Sequence, residues 1–244
     1  MPSAAPDVYD RRHTLYGAIA SRRLTGTRQI ATMTYGDALF TGESMMQKPT
    51  ARIAKVARKT KETEIDIVLN LDGTGRSRIH TTISFLDHML ELFAKHGRFD
   101  LTVNARGDRH IDDHHLVEDL GIALGEALAQ ALGDKRGIVR YGNFLLPMDE
   151  ALSYVALDLS GRTYCVFKVK WTHARLGTFD GLLLEHFFES FAHSARMNLH
   201  MALRYGKHPH HIAESLFKGL ARALSAAVQR DARVSGVPST KGRL

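Results

Sequence analysis

The chain has 244 residues, 44% of them hydrophobic and 24% charged, with 33 Lys and Arg against 26 Asp and Glu. That length supports a substantial buried core, and no apolar run approaches the roughly 18 residues a bilayer span needs, which excludes a membrane protein. The net charge of +7 is scattered, without a dense basic block or interleaved aromatics, so a phosphorylated small molecule fits it at least as well as nucleic acid.

Residues 1–48 show no sustained period of 2 or 3.6 and read as a poorly ordered N-terminal extension. Asp7, Asp10, Asp37 and Glu43 argue against an organelle targeting peptide, and no secretory signal is expected. From Pro49 the patterning is regular. Thr63–Leu71 alternates as a strand, and Asp72-Gly73-Thr74-Gly75 supplies a turn. Phe85–His96 reads as a helix with Ser84 as N-cap and Gly97 as its stop. Phe99, Leu101 and Val103 alternate as a strand, and His114–Leu132 carries an apolar face at helical spacing, ended by Gly133. Strands follow at Ala151–Leu159 and Tyr164–Trp171, then a helix at Leu182–Met197, a strand at Leu199–Leu203 and a last helix at His211–Val228. The lone Cys165 cannot form an internal disulfide, which suits a reducing, cytoplasmic compartment.

The second half repeats the first. Leu86-Asp87-His88 corresponds to Leu184-Glu185-His186, and after 26 residues in the first half and 24 in the second comes His-His-x-x-Glu. These are His114, His115 and Glu118, then His210, His211 and Glu214, and leucines recur at the same offsets beyond each Glu. A duplicated helix–strand–helix unit predicts an α+β fold of two similar halves, residues 49–146 and 147–244.

On a helix, residues four apart share a face, so His114 and Glu118 project together. Adjacent histidines diverge by about 100°, so each member of a His-His pair serves a different ion. Two metal sites follow, with His88 and His186 adding an imidazole each. Three histidines and one carboxylate per ion, with room for substrate, suit a six-coordinate transition metal better than closed tetrahedral zinc. Ligand type alone leaves Mn, Fe, Co and Ni open. Among the remaining histidines, His13, His80, His173, His193 and His208 read as solvent-facing.

Several of these segments resemble the signature motifs of imidazoleglycerol-phosphate dehydratases. They are Phe85-Leu86-Asp87-His88-Met89-Leu90, Ile111-Asp112-Asp113-His114-His115-x-Val117-Glu118-Asp119, Asp158-Leu159-Ser160-Gly161-Arg162, Gly206-Lys207-x-x-His210-His211 and Pro238-Ser239-Thr240-Lys241-Gly242. The resemblance runs from about Arg52 to the C-terminus. It implies two halves, each a four-stranded sheet with helices, and a hydro-lyase of histidine biosynthesis. That enzyme converts imidazole glycerol phosphate to imidazole acetol phosphate and water. It implies two Mn2+ per chain on His88, His114, His115, Glu118, His186, His210, His211 and Glu214. It also implies Glu62 as acid/base on the substrate, and Arg140, Arg162, Lys218, Ser239 and Lys241 as phosphate-binding groups. Trimers assembling into an octahedral 24-mer, with active sites between subunits, are implied as well.

Thr82 stands where these proteins usually carry Gly, Leu92 where some carry a polar Gln, and Thr163 where Pro is usual. A two-metal phosphomonoesterase or amidohydrolase is the rival reading, but such sites usually bridge their ions with carboxylates, whereas histidine dominates here. A nucleic-acid-binding protein would have no use for eight convergent ligands.

Overall fold

Period-two patterning builds the first sheet. In the computed structural model, which describes residues 51–244, β1 (Ile53–Lys59) and β2 (Thr63–Asn70) form an antiparallel hairpin in register from Ile53↔Asn70 to Lys59↔Glu64. The extension read over residues 1–48 lies outside the described residues. Ile65, Ile67 and Leu69 are buried on one face, as alternate strand positions require. Then come β3 (Ser77–His80), α1 (Ser84–Gly97), β4 (Asp100–Gly107) and α2 (His114–Leu132). The sheet order is β1-β2-β4-β3, with β3 parallel to β4.

The second sheet has the same topology. Its elements are β5 (Tyr141–Met148), β6 (Ala151–Asp158) and β7 (Tyr164–Lys168), then a short hairpin of β8 (Arg175–Leu176) and β9 (Phe179–Asp180). After these come α3 (Leu183–Ser194), β10 (Asn198–Tyr205) and α4 (Pro209–Ala227). The order is β5-β6-β10-β7, with β7 parallel to β10. β2 and β6 even share one alternation of buried and half-exposed positions. The fold is α+β and internally duplicated.

The helices cross between the halves. α2 covers β1 and β2 and packs against α3, while α4 covers β5 and β6 and packs against α1. Glycine sets the α2–α3 approach: a Cβ at Gly121 or Gly125 would stand 2.6 Å or 2.5 Å from the carbonyl oxygens of Phe187 and Phe191. Phe93, Phe187, Phe188, Phe191 and Phe217 fill the space between the helices, fully buried.

Besides the short β8–β9 hairpin, three strands escape the sequence reading. β1 buries only the small Ala54 and Val56 on its inner face, among basic residues that mask the alternation. β3 is four residues long and mostly exposed. β5 contains Gly142 and Pro147, which sheet interiors avoid but an edge strand accepts. It straddles residue 147, where the sequence reading begins the second half, yet it pairs with β6 from Tyr141↔Asp158 to Met148↔Ala151. Ser84 is not the cap of α1 but its first residue; Ile83 occupies the cap position, without a side-chain bond. The helix ends one residue later than expected, at Arg98 with φ 59°. Gly97 is needed for a different reason: a Cβ there would lie 2.3 Å from the Phe99 ring.

Candidate active site

Crossing helices bring the candidate ligands together in a way the repeat alone does not state. His88 on α1 and His210 on α4 present Nε2 to Glu214 Oε1, at 3.2 Å and 2.9 Å, so one candidate metal-binding group joins both halves. Lys218, one turn beyond Glu214, donates to its other oxygen. Burial pushes the Glu214 carboxyl up, but the bonds from Lys218 and His88 outweigh it and hold the group at about 2. Phe85 walls the cluster, edge-on to His210 and stacked on Phe179 at 5.2 Å.

The mirror arrangement uses the other helix pair. His114 on α2 meets His186 on α3, with ring centroids 4.9 Å apart, and His114 Nε2 lies 3.7 Å from Glu118 Oε2. His88 therefore joins the second half's motif and His186 the first half's. Two imidazoles and a carboxylate, open on the remaining sides, fit a transition-metal ion of high coordination number.

His115 and His211 join neither group. Their rings stand nearly perpendicular to those of His114 and His210, at 79° and 89°, as adjacent helical positions require. His115 Nδ1 donates to Asp108 at 3.1 Å, with Glu62 at 3.9 Å. His211 Nδ1 donates to Glu150 at 2.6 Å. The bond to Asp108 raises the His115 pKa, and the bond to Glu150 raises that of His211 while holding Glu150 at about 2. His208, read as merely solvent-facing, is exposed but packs its ring 4.6 Å from that of His211.

Glu62 sits on the β1–β2 turn, 54% exposed. The turn is fixed from below. Thr60 Oγ1 accepts the Glu62 and Thr63 backbone N–H groups, and Thr63 Oγ1 donates to the buried Asp119 at 2.5 Å. Arg58 closes the network on Asp119 at 2.7 Å. Among the phosphate-binding candidates, Arg140 forks onto Asp158 at 2.7 Å and 3.0 Å and donates through Nη1 to the Pro238 carbonyl. This ties it to the segment carrying Ser239 and Lys241, and leaves an N–H on each terminal nitrogen. Arg162 is exposed on the loop after β6. Lys218 is apart from them in role, spent on Glu214. Leu92 packs against the hydrophobic core. Asp108 and Glu150 are residues sequence reasoning missed, because an isolated acid before or between motifs looks like any solvated charge; Asp119 stands inside the Ile111–Asp119 motif, but its role under the turn is visible only in the fold.

A sequence model described as imidazoleglycerol-phosphate dehydratase matches residues 81–224. The imidazoleglycerol-phosphate dehydratase of Methylorubrum extorquens is 55% identical over 194 residues, covering 79% of this chain and all of the relative. That of Geobacillus thermodenitrificans is 54% identical, covering 80% of this chain and again the whole relative. The crystal structure of imidazoleglycerol-phosphate dehydratase from Staphylococcus aureus superposes with a TM-score of 0.67 at 38% identity, over 73% of this chain and 99% of the other. With the duplicated sheets also in place, the chain belongs to the imidazoleglycerol-phosphate dehydratase family.

Proposed function

We propose that the chain dehydrates imidazole glycerol phosphate to imidazole acetol phosphate in cytoplasmic histidine biosynthesis, using two manganese ions per chain. The observation that carries the reading is the crossed pair of ligand clusters. His88, His210 and Glu214 would hold one ion, and His114, His186 and Glu118 the other. Each cluster offers three protein donors, and His115 and His211 are left over. We assign these two to the sites of neighbouring copies, so that each ion gains a fourth protein ligand only on assembly into trimers and an octahedral 24-mer. When bound, the ions supply Lewis acidity and a template for the substrate's imidazole ring.

The rest falls to the chain's own side chains. Glu62 moves the proton: as carboxylate it takes the carbon-bound hydrogen of the glycerol moiety, and as acid it can return a proton to the departing hydroxyl. Because Glu62 stands beside His115, it travels with that ligand and serves the neighbour's substrate. Arg140, Arg162, Ser239 and Lys241 hold the phosphate, Arg140 through the N–H that each terminal nitrogen keeps beyond its bonds to Asp158 and Pro238, and Lys241 as a point charge, while Lys218, grouped with them by the family resemblance, stays on Glu214. Their engagement orients the substrate without taking part in bond breaking. Incubating manganese-loaded protein with imidazole glycerol phosphate should yield the ketone with no free phosphate. Release of inorganic phosphate would instead support the two-metal phosphomonoesterase.

A further inference from the structure

The two halves can be equated residue by residue, and the equation is imperfect at one place. β2 and β6 start at Thr63 and Ala151 with the same alternation of burial, so Glu62 and Glu150 hold the same position in their hairpins. Each lies beside the second imidazole of its pair, Glu62 at 3.9 Å from His115 Nδ1 and Glu150 at 2.6 Å from His211 Nδ1. The other carboxylate, Asp108, has no partner in the second half. A Cβ on Gly107 would meet Leu116 and Thr63, and one on Gly206 would meet Ile212 and Ala151, which are equivalent pairs. A break in register between Leu203 and Tyr205 absorbs the odd residue. The position of Asp108 therefore falls to Lys207. Its backbone N–H, with that of His208, donates to Glu150 Oε1 at 3.2 Å and 2.7 Å.

We infer that Asp108 and Glu150 are the positioning residues of His115 and His211. Each accepts Nδ1–H, fixes the tautomer and the turn of the ring, and leaves Nε2 as the one nitrogen able to bind an ion. Asp149 lies 3.6 Å from that nitrogen of His211, beyond hydrogen-bond range. The halves are thus chemically unequal. In the first, Asp108 orients the imidazole and Glu62 is left for proton transfer. In the second, the hairpin carboxylate itself does the orienting, so the duplication yields one acid/base and not two.

This rests on the proposed ligand role of His115 and His211, and the test separates the two claims. Mn2+ binding to the full-length chain is measured by equilibrium dialysis for Asp108→Asn, Glu150→Gln, Glu62→Gln and His211→Ala, with turnover followed against Mn2+ concentration. Asp108→Asn and Glu150→Gln should bind Mn2+ about 10–100-fold more weakly, the usual cost of losing a ligand's outer partner, and recover turnover as Mn2+ is raised. Glu62→Gln should keep its Mn2+ affinity and show no such rescue. Should Glu150→Gln fold poorly, Glu150→Asp keeps the charge on a shorter arm and should fall between it and the unsubstituted chain. Unchanged affinity in Glu150→Gln, with turnover lost even at saturating Mn2+, would make Glu150 a second acid/base and overturn the inference. If His211→Ala also binds Mn2+ normally, the ligand assignment itself fails.

Discussion

Thr82 shows how much one residue can carry. It adopts φ 63°, a left-handed conformation that a β-branched side chain resists. The backbone is held there because the Thr82 carbonyl accepts from Arg109, and Thr81 donates to Asp87 at 2.6 Å on the turn that leads into α1. The left-handed strain costs about 1–2 kcal/mol. Thr82→Gly should therefore raise the unfolding free energy by about 1 kcal/mol after glycine's own entropic cost, measured by urea denaturation of the metal-loaded protein. Glu62 is the residue on which the proposed chemistry depends. Glu62→Gln keeps the shape of the β1–β2 turn but cannot exchange a proton, so kcat should fall about 10²–10⁴-fold while elemental analysis finds metal content unchanged. Near-normal turnover in that variant would remove Glu62 from the mechanism.

Between elements, the decisive contacts are close ones. Gly125 lets α2 lie against the Phe191 carbonyl, and a methyl group there would also press on Ser194 Cβ at 2.8 Å and Ala195 N at 2.9 Å. Gly125→Ala should lower stability by about 1–3 kcal/mol, the usual cost of overpacking. It should also loosen Mn2+ binding, because α2 and α3 carry His114 and His186. Calorimetric unfolding together with dialysis would register both effects. A second contact fixes the turn between β2 and β3. The Thr74 and Arg76 backbone N–H groups donate to Asp100 at 2.8 Å and 3.0 Å, holding its carboxyl at about 2 against an ordinary 3.8. A depressed carboxyl stabilises the folded state at pH above its unfolded value and loses that contribution as pH falls through the folded one. Asp100→Ala should thus cost about 1–3 kcal/mol at pH 7, and the difference from the unsubstituted chain should vanish once the pH is below about 2. A difference that persists undiminished in acid would show that the side chain acts through packing.

At the scale of the whole molecule, the proposed assignment of His115 and His211 to neighbouring copies makes assembly and metal binding one equilibrium. If His115 and His211 complete sites on neighbouring chains, ions that bind only the assembled form stabilise it by mass action. Chelation should dissociate the particle into smaller, trimeric units, and mild acid should do the same by protonating imidazoles that must be neutral to ligate. Restoring Mn2+ at neutral pH should rebuild it. Light scattering on protein proven metal-free by elemental analysis checks this. An apo-particle of undiminished mass would show that packing alone joins the chains.

What the sequence determined by itself was the repeat and its chemistry. Two His-His-x-x-Glu motifs at matched offsets need helices to work, and helical spacing alone separates His114 from His115 and His210 from His211. The strongly periodic elements were legible for the same reason: β2, α2 and β6 bury one clean face each. β1, β3 and β5 were not, since edge strands with small, charged or Gly/Pro residues carry little of the alternation that burial imposes. Only the tertiary structure decided which ligands meet. No spacing rule puts His88 beside Glu214, 126 residues away; that follows from α1 packing on α4 and α2 on α3, because each short helix finds its apolar partner in the other half. Nor could sequence separate Glu62 from Glu150, two acids at equivalent hairpin positions. Their difference is made by a register break in β10 and by the presence of Asp108 in one half alone. Hydrogen-bond geometry, and not residue type, tells the two apart.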